Sequence, residues 1–583
     1  MGGHGENMGT RWIIEGRIDE RWPVNTRGNV GEVFPEVITA LGYHLGVVPA
    51  EKAWRNAYAE LGIMSPGDFA GDDPVIIGLY GGYCYLNLSY LRMMGVRAPG
   101  SSAEAIDVAF FGEGNPPPYV ACKGDKSLRS SVRILRTVLS ALGTKELPEI
   151  VEDSFSRAAG FEALRPDLDA PDTDLLDYLY AFPEAFEPLF GNHMQTTAVA
   201  AIVSGVLIDA SAAAGNPGLV THLVGASGDV QSALYATDLY EIAKVIRQQP
   251  GVMRAFDDGV DELLERTAGN PDAAGFRTMF EAFLDRHGHR GPNDWELSAR
   301  TWDNTPSLAL TALDRMRVAD NDLSPVDRLA DDDERRSAAA AVVRPHLNFM
   351  DKVKFDKALR ALPFWSQARE ATRDRAVRVM LPVKQVYREL VRRSLERGGG
   401  AGPTEVALLN PVTELPDYLR DPASLATLVE ERANLRNRFA AVGPPFFISS
   451  QKDVPTIEEL EATAAGTARV EAAATGDVLT GDAGASGLAR GRARIIHDPA
   501  DAGSLEPGDV LVAPITDPAW TPLFLPAAAV VVNVGALMSH AVIVARELAI
   551  PCVIALEGAT DLIPDGAMVE VDGTAGTVTL IQA

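Results

Sequence analysis

Cysteine is scarce, with only Cys84, Cys122 and Cys552 scattered through 583 residues. Such usage excludes a disulfide framework, offers no zinc site and suits a reducing compartment. Basic residues are outnumbered, 53 Lys and Arg against 80 Asp and Glu, for a net charge of -27. A chain this acidic is not expected to bind nucleic acid nonspecifically. No signal peptide and no spanning apolar run of about 18 residues is read, so no membrane association and a soluble, cytoplasmic protein are expected. Also missing are a G-x-x-x-x-G-K-[ST] loop, a dinucleotide fingerprint after a strand, and any fixed-period repeat. The hydrophobic content, 46%, is ordinary for a folded protein, and the length predicts roughly two to four domains.

What is present falls into two patterns. From about Ser127 to Thr463 good helix formers dominate, with apolar residues three and four apart. Helices are predicted over Asp238–Arg247, Gly259–Thr267 and Val377–Arg397, with Pro382 starting or kinking the last. Pro217-Gly218, Pro250-Gly251 and the run from Gly398 to Pro403 read as breaks. The Ala/Gly/Thr-rich stretch 464–475 reads as a mobile linker. Beyond it come short strand-like runs at Gly487–Ile496, Val510–Pro514, Ala529–Val534, Cys552–Ala555, Met568–Gly573 and Thr577–Leu580, with a hairpin turn after Asp572-Gly573. The expected fold class is multidomain α plus α/β. Its parts are a flexible start (1–20), a large, mainly helical domain (21–463), the linker (464–475), and a small domain of strands and helices (476–583).

Three polar stretches are candidates for chemistry. The first, Trp22 to Pro35, is too polar for a strand core. Its Arg27, Asn29 and Glu32 either line a pocket or belong to a solvated loop closed by an ion pair. The second runs from Asp285 to Leu297 and contains His287, His289, Arg290, Asp294 and Glu296. Two histidines at i, i+2 beside a carboxylate have a metal-like spacing, but Gly288 and Gly291 favour an irregular loop, and no metal is expected. Such a loop suits phosphate contact and acid–base work, or else simply bridges helices. The third stretch surrounds His540. Ala529–Val534 reads as a buried strand and Ala541–Leu548 as a helix, with Ser539 at the N-cap and His540 in the first turn. Free N–H groups and the helix dipole favour an anion there, and an imidazole both attacks phosphorus and releases it again. The plainer alternative is a histidine that caps a packed strand–helix turn.

Asn533-Val534-Gly535-Ala536-Leu537-Met538-Ser539-His540, followed by Ala545-Arg546-Glu547-Leu548-Ala549-Ile550-Pro551, resembles the phosphohistidine signature of the phosphoenolpyruvate-utilising enzymes. Ala536 and Ala549 stand where that pattern has glycine, small changes expected to keep the turn. Thr26-Arg27-Gly28-Asn29-Val30-Gly31-Glu32-Val33-Phe34-Pro35 and Tyr85 to Arg92 resemble the substrate domain of rifampicin phosphotransferase-like members. So does the second polar loop, where Gly288, Arg290, Gly291, Pro292 and Glu296 fit and Asp294 replaces a glutamate.

The resemblance implies a β/β/α swivelling domain that carries a phosphoryl group on His540 to a substrate held in the helical domain. In that scheme Arg290 steadies the phosphoryl group. Glu296 or Asp294 takes the proton of the acceptor hydroxyl, with His289 as a competing base. Arg27, Asn29, Glu32 and Asn87 face the substrate, while Ser539 and Arg546 support the phosphoryl. Family members charge the histidine through an upstream ATP-grasp domain or a downstream phosphoenolpyruvate-binding barrel. Here the opening motif already lies at Thr26 and little follows His540, so a separate ATP-grasp partner using ATP and Mg2+ is expected, with no cofactor bound directly. The layout is similar to that of the histidine subunit of phenylphosphate synthase. The acceptor is expected to be a small molecule. Two alternatives remain: a ligase or dehydratase acting through a phosphorylated intermediate, and a non-catalytic binding protein with a relic histidine domain.

Overall fold

The computed structural model describes residues 16–69, 71, 73–99, 101–111, 116–216, 219–224, 231–318, 325–466, 472–499, 505–516, 520–535 and 539–582. The helical part is organised by α1 (Val48–Glu60), α2 (Asp172–Ala213), α3 (Gln231–Arg247), α4 (Ala274–His287), α5 (Phe349–Arg378) and α6 (Met380–Glu396). Leu175, Leu179, Phe182 and Phe186 of α2 share the largest core with Val383, Val386 and Leu390 of α6. Farther along α2, Val203 and Leu207 pack with Phe355, Ala358 and Leu362 of α5. A separate cluster joins Tyr235 and Leu239 of α3, Phe280 and Phe283 of α4, and Trp302.

The 42-residue α2 corrects one expectation, because by length and composition it is apolar enough to cross a membrane. Its apolar residues are shared between two internal cores, so here it acts as the central helix of a folded domain. The predicted helix over Gly259–Thr267 shrinks to Leu263–Arg266, because Gly259 (φ 96) and Glu262 (φ 54) are left-handed. The predicted helix over Val377–Arg397 divides at Val379, and Pro382 falls in the first turn of α6, where its missing N–H interrupts nothing. Pro250 opens a new helix after α3, as the expected break requires; Pro217-Gly218 lies outside the described residues.

Strands β1 (Asn25–Thr26), β2 (Ile77–Tyr80), β3 (Tyr83–Asn87) and β4 (Phe447–Ile448) form a small sheet in the order β2-β3-β1-β4. The polar β1, expected to be loop, is therefore an interior strand, with Asn25 and Thr26 fully buried. Backbone pairing on both sides makes this tolerable, and Thr26 Oγ1 accepts the Gly28 N–H at 3.0 Å.

The C-terminal part contains β5 (Val478–Thr480), β6 (Asp482–Ala485), β7 (Leu488–Ile495), β8 (Val510–Ala513), β9 (Ala529–Val532), β10 (Cys552–Ile554), β11 (Met568–Asp572) and β12 (Thr577–Gln582). Their order is β5-β12-β11-β7-β8-β9-β10-β6. The stretch β7-β8-β9-β10 is parallel and the outer pairings are antiparallel. Residues alternate along β9: Val530 and Val532 enter one core, and Ala529 and Val531 the other. A strand buried on both faces explains the uninterrupted apolar run in the sequence. The helix α7 (His540–Glu547) follows β9 across this sheet's C-terminal edge. Thus the structure has a large helical domain followed by a small β-rich domain.

At the expected linker, the helix Ile457–Gly466 covers the first residues, and residues 467–471 lie outside the described ones. Ala473 already belongs to the C-terminal part, donating its N–H to Leu562 O at 2.8 Å. The two parts meet where Leu525 packs against both the β-rich core and the α3–α4 cluster.

Candidate active site

His540 sits at the first position of α7, at the carboxyl end of β9 in a parallel sheet, where such sheets place their ligands. The strand end is pinned by Asn533, whose side chain donates to Thr560 Oγ1 at 2.8 Å. Ser539 occupies the N-cap as expected, but its hydroxyl makes no capping bond. That hydroxyl is buried without a hydrogen-bond partner among the described residues. Ala536 lies outside the described residues. Ala549 takes the left-handed C′ position after α7, with φ 52, and the Ile550 N–H reaches back to Ala545 O at 2.8 Å.

The imidazole is half-buried and fixed at both nitrogens. Nδ1 lies 3.2 Å from Thr516 Oγ1, and Nε2 lies 3.1 Å from Thr521 Oγ1. Tyr235, on α3 of the helical domain, donates its hydroxyl proton to Thr521 Oγ1 at 2.5 Å. Thr521 is then free to turn its own proton toward Nε2. That arrangement leaves the lone pair on Nε2 and the ring proton on Nδ1. Burial, then the Arg373 and Arg290 guanidiniums, hold the ring well below the usual imidazole pKa, so it is neutral at physiological pH.

Both arginines come from the helical domain. Arg290 lies in the second polar loop, anchored by Arg290 N–H to His287 O at 2.9 Å and Trp302 N–H to Arg290 O at 2.8 Å. Gly291 is obligatory there, since a Cβ would collide with the Arg300 carbonyl. Arg290 is buried, 3.3 Å from Asp294 Oδ2, with its guanidinium 5.7 Å from the Tyr235 ring centroid. Its Nη2 has no hydrogen-bond partner among the described residues. Burial alone would lower its pKa; Asp294, Tyr235 and Asp374 outweigh that and raise it. Arg373, on α5, lies 3.6 Å from Asp294 Oδ1 and 5.7 Å from the centre of the Trp295 ring. Two guanidiniums of the helical domain, held by one carboxylate, thus lie near enough to His540 to disfavour its protonation.

The remaining loop residues hold this arrangement in place. His289 Nε2 lies 2.9 Å from Asp374 Oδ1, and burial lowers the His289 pKa. Lys384, on α6, donates to the Asp294 carbonyl at 2.9 Å, and burial brings its pKa down to about 7. Glu296 points away from His540, toward the start of the helix before α1. It accepts the Thr39 hydroxyl at 2.8 Å, the Thr39 N–H at 3.2 Å, and the Ser298 N–H and hydroxyl at 3.2 and 3.3 Å.

From the first polar stretch, Glu32 alone reaches the site: its Oε2 accepts the His540 N–H at 3.0 Å. So the group that meets the open N-terminus of α7 is a carboxyl from the other domain. Burial pushes this carboxyl up to about 8 despite the opposing effect of that hydrogen bond. Arg27 is buried and donates to the carbonyls of Cys84, Phe34 and Pro35. Asn29 is exposed, with φ 67. Asn87 caps the helix Leu88–Arg97, accepting the Tyr90 N–H at 2.9 Å. Arg546 donates to Gly484 O at 3.1 Å, beside β6. Sequence reading did not single out Arg373, Tyr235, Thr516, Thr521 or Lys384. Only Arg373 left a trace, in the run of arginines at 369, 373, 375 and 378. No cluster of three or more metal-ligating side chains occurs among the described residues.

Residues 192–373 match the family description "Rifampicin phosphotransferase fourth domain", and residues 505–576 match "PEP-utilising enzyme, mobile domain". Arg290, Arg373 and His540 lie within these segments, and the two matches support a likeness to the rifampicin phosphotransferase-like members of the PEP-utilising enzymes. Among similar proteins, a rifampicin phosphotransferase of Streptomyces sviceus is 29% identical over 62% of this chain and 41% of its own length. The prodigiosin synthesizing transferase PigC of Serratia marcescens is 26% identical over 98% of this chain and 64% of its own length. An uncharacterised protein of Mycobacterium tuberculosis is 31% identical over 61% of this chain and 37% of its own length. The chain thus spans less than two thirds of each of these relatives.

Proposed function

We propose that the chain is a phosphotransferase in which His540 carries a phosphoryl group and delivers it to a hydroxyl of a small molecule bound in the helical domain. The observation that carries this reading is the pair of buried arginines, Arg290 and Arg373, held on the one carboxylate of Asp294 and near enough to His540 to keep it neutral. A neutral ring with its lone pair on Nε2 is the nucleophilic form. The guanidiniums supply forked donors for a phosphoryl group, and the unpartnered Arg290 Nη2 and Ser539 hydroxyl are polar groups for which phosphoryl oxygens are natural acceptors. Asp294 orients both guanidiniums, and Asp374 orients His289.

The phosphoryl donor in this scheme is ATP with Mg2+, acting through an ATP-grasp partner. Charging requires His540 to leave the helical domain, so the C-terminal part moves away from it. A cytoplasmic setting fits three free cysteines. The S. sviceus relative favours a phosphorylated product. The name of the PigC relative favours a second reading, in which phosphorylation activates one molecule for condensation with another.

The test uses labelled ATP and a candidate ATP-grasp partner. Wild type should gain one acid-labile label per chain, and His540→Ala none. Turnover by His540→Ala at the wild-type rate refutes the carrier mechanism. Mass analysis of the product separates the phosphorylated from the condensed outcome.

A further inference from the structure

The carrier reading needs a group to take the acceptor hydroxyl's proton, and the carboxylates around the site are unequal. Asp294 is held between Arg290 and Arg373. Asp374 is held by His289 and Arg375. Glu296 is turned away and fully hydrogen-bonded by Thr39 and Ser298. Glu32 differs. It stands on the short helical turn Val30–Val33, half-buried, with one oxygen on the His540 N–H. Among the described residues its other oxygen has no hydrogen-bond partner and its carboxyl forms no ion pair.

We propose that Glu32 is the catalytic proton acceptor, placed by the helical domain directly beside the phosphoryl carrier. The inference rests on His540 being that carrier. The acceptor oxygen attacks phosphorus, forming the O–P bond as the N–P bond breaks. The electron pair of the broken bond stays on the imidazole nitrogen. His540, which keeps its Nδ1 proton, ends neutral; the hydroxyl proton passes to Glu32 and from there to solvent, so Glu32 is ready again. No further reactant is needed. Burial raises the Glu32 carboxyl to about 8, close to the working range in which a general base is most effective. Arg27 lies behind the turn, but its donors go to the three carbonyls it holds; the other charged groups near His540, Arg290 and Arg373, are held by Asp294. Among the described residues no salt bridge therefore competes for the Glu32 carboxyl.

The test charges His540 of the full chain chemically with labelled phosphoramidate and follows loss of label to water and to glycerol as a stand-in hydroxyl. Glu32→Gln keeps an oxygen for the His540 N–H, so it should fold, dock and accept label normally. Discharge should slow by about a hundredfold to ten-thousandfold, and the limb of the pH–rate profile that belongs to Glu32 should vanish. Glu32→Asp should recover part of the rate and keep the limb. Discharge of charged Glu32→Gln at the wild-type rate overturns this proposal alone. A slow Glu32→Gln that keeps the wild-type pH limb overturns it as well, because the residue then only positions the domain. If His540 of the wild type takes no label, the carrier reading falls and this proposal falls with it.

Discussion

Glu296→Gln tests whether the second acid of the polar loop builds the site or reacts in it. The residue is 4% exposed and accepts four hydrogen bonds, from the Thr39 hydroxyl and N–H and from the Ser298 hydroxyl and N–H. An amide matches the shape but has only one oxygen. If that oxygen keeps the three partners of Oε1, the new NH2 meets the Thr39 N–H, donor against donor. There is no room to swing aside, since even a Cβ at Gly42 would collide with this carboxylate. One buried N–H loses a charged acceptor, and three bonds lose their charge assistance, for a total of about 2–4 kcal/mol. Urea unfolding read by tryptophan fluorescence should show that loss, with Trp295 as the adjacent reporter. Folded variant charged on His540 should still discharge within about tenfold of wild type. Thr39→Val should cost a similar amount, and the double variant less than the sum. Wild-type stability combined with a discharge rate lowered by a hundredfold or more would refute the reasoning and return Glu296 to the chemistry.

Three further outcomes are expected. Ala549→Gly should stabilise the C-terminal domain by about 0.5–1 kcal/mol, because glycine relieves the left-handed φ of 52 after α7; a lower thermal midpoint contradicts this. Arg290→Lys keeps the charge but loses the planar fork, so His540 should still accept label while delivery slows by about tenfold to a thousandfold in single turnover; delivery at the wild-type rate removes Arg290 from the transfer step. Lys384 has its folded-state pKa lowered to about 7 from 10.5, so the unfolded chain binds the extra proton between those values. Its contribution to stability is full above 10.5 and is lost as pH falls through about 7. Lys384→Met should flatten the rise in unfolding free energy between those pH values, and an unchanged slope counts against the burial argument.

The local architecture around His540 was legible in the sequence. A β-branched run, a serine and a histidine before a helix-forming stretch determine a buried strand and a helix whose first residue is His540. Each of those signals acts over a few residues through backbone preference and one-sided burial. The glycine-studded loop of Arg290 was legible for the same reason, because Gly291 records a close backbone approach. The interior strand Asn25–Thr26 was not, since its stability comes from two neighbours at residues 86–87 and 447–448, which a polarity pattern cannot reveal. Nor was the choice among carboxylates. Asp294 and Glu296 are two residues apart, yet one is held by two arginines near His540 and the other holds Thr39. Glu32 reaches the His540 backbone across 508 positions of sequence. The sequence by itself determined which groups are chemically able to act. Only the tertiary structure decided which of them meet, because a side chain's partners, and the burial that sets its charge, come from segments distant along the chain.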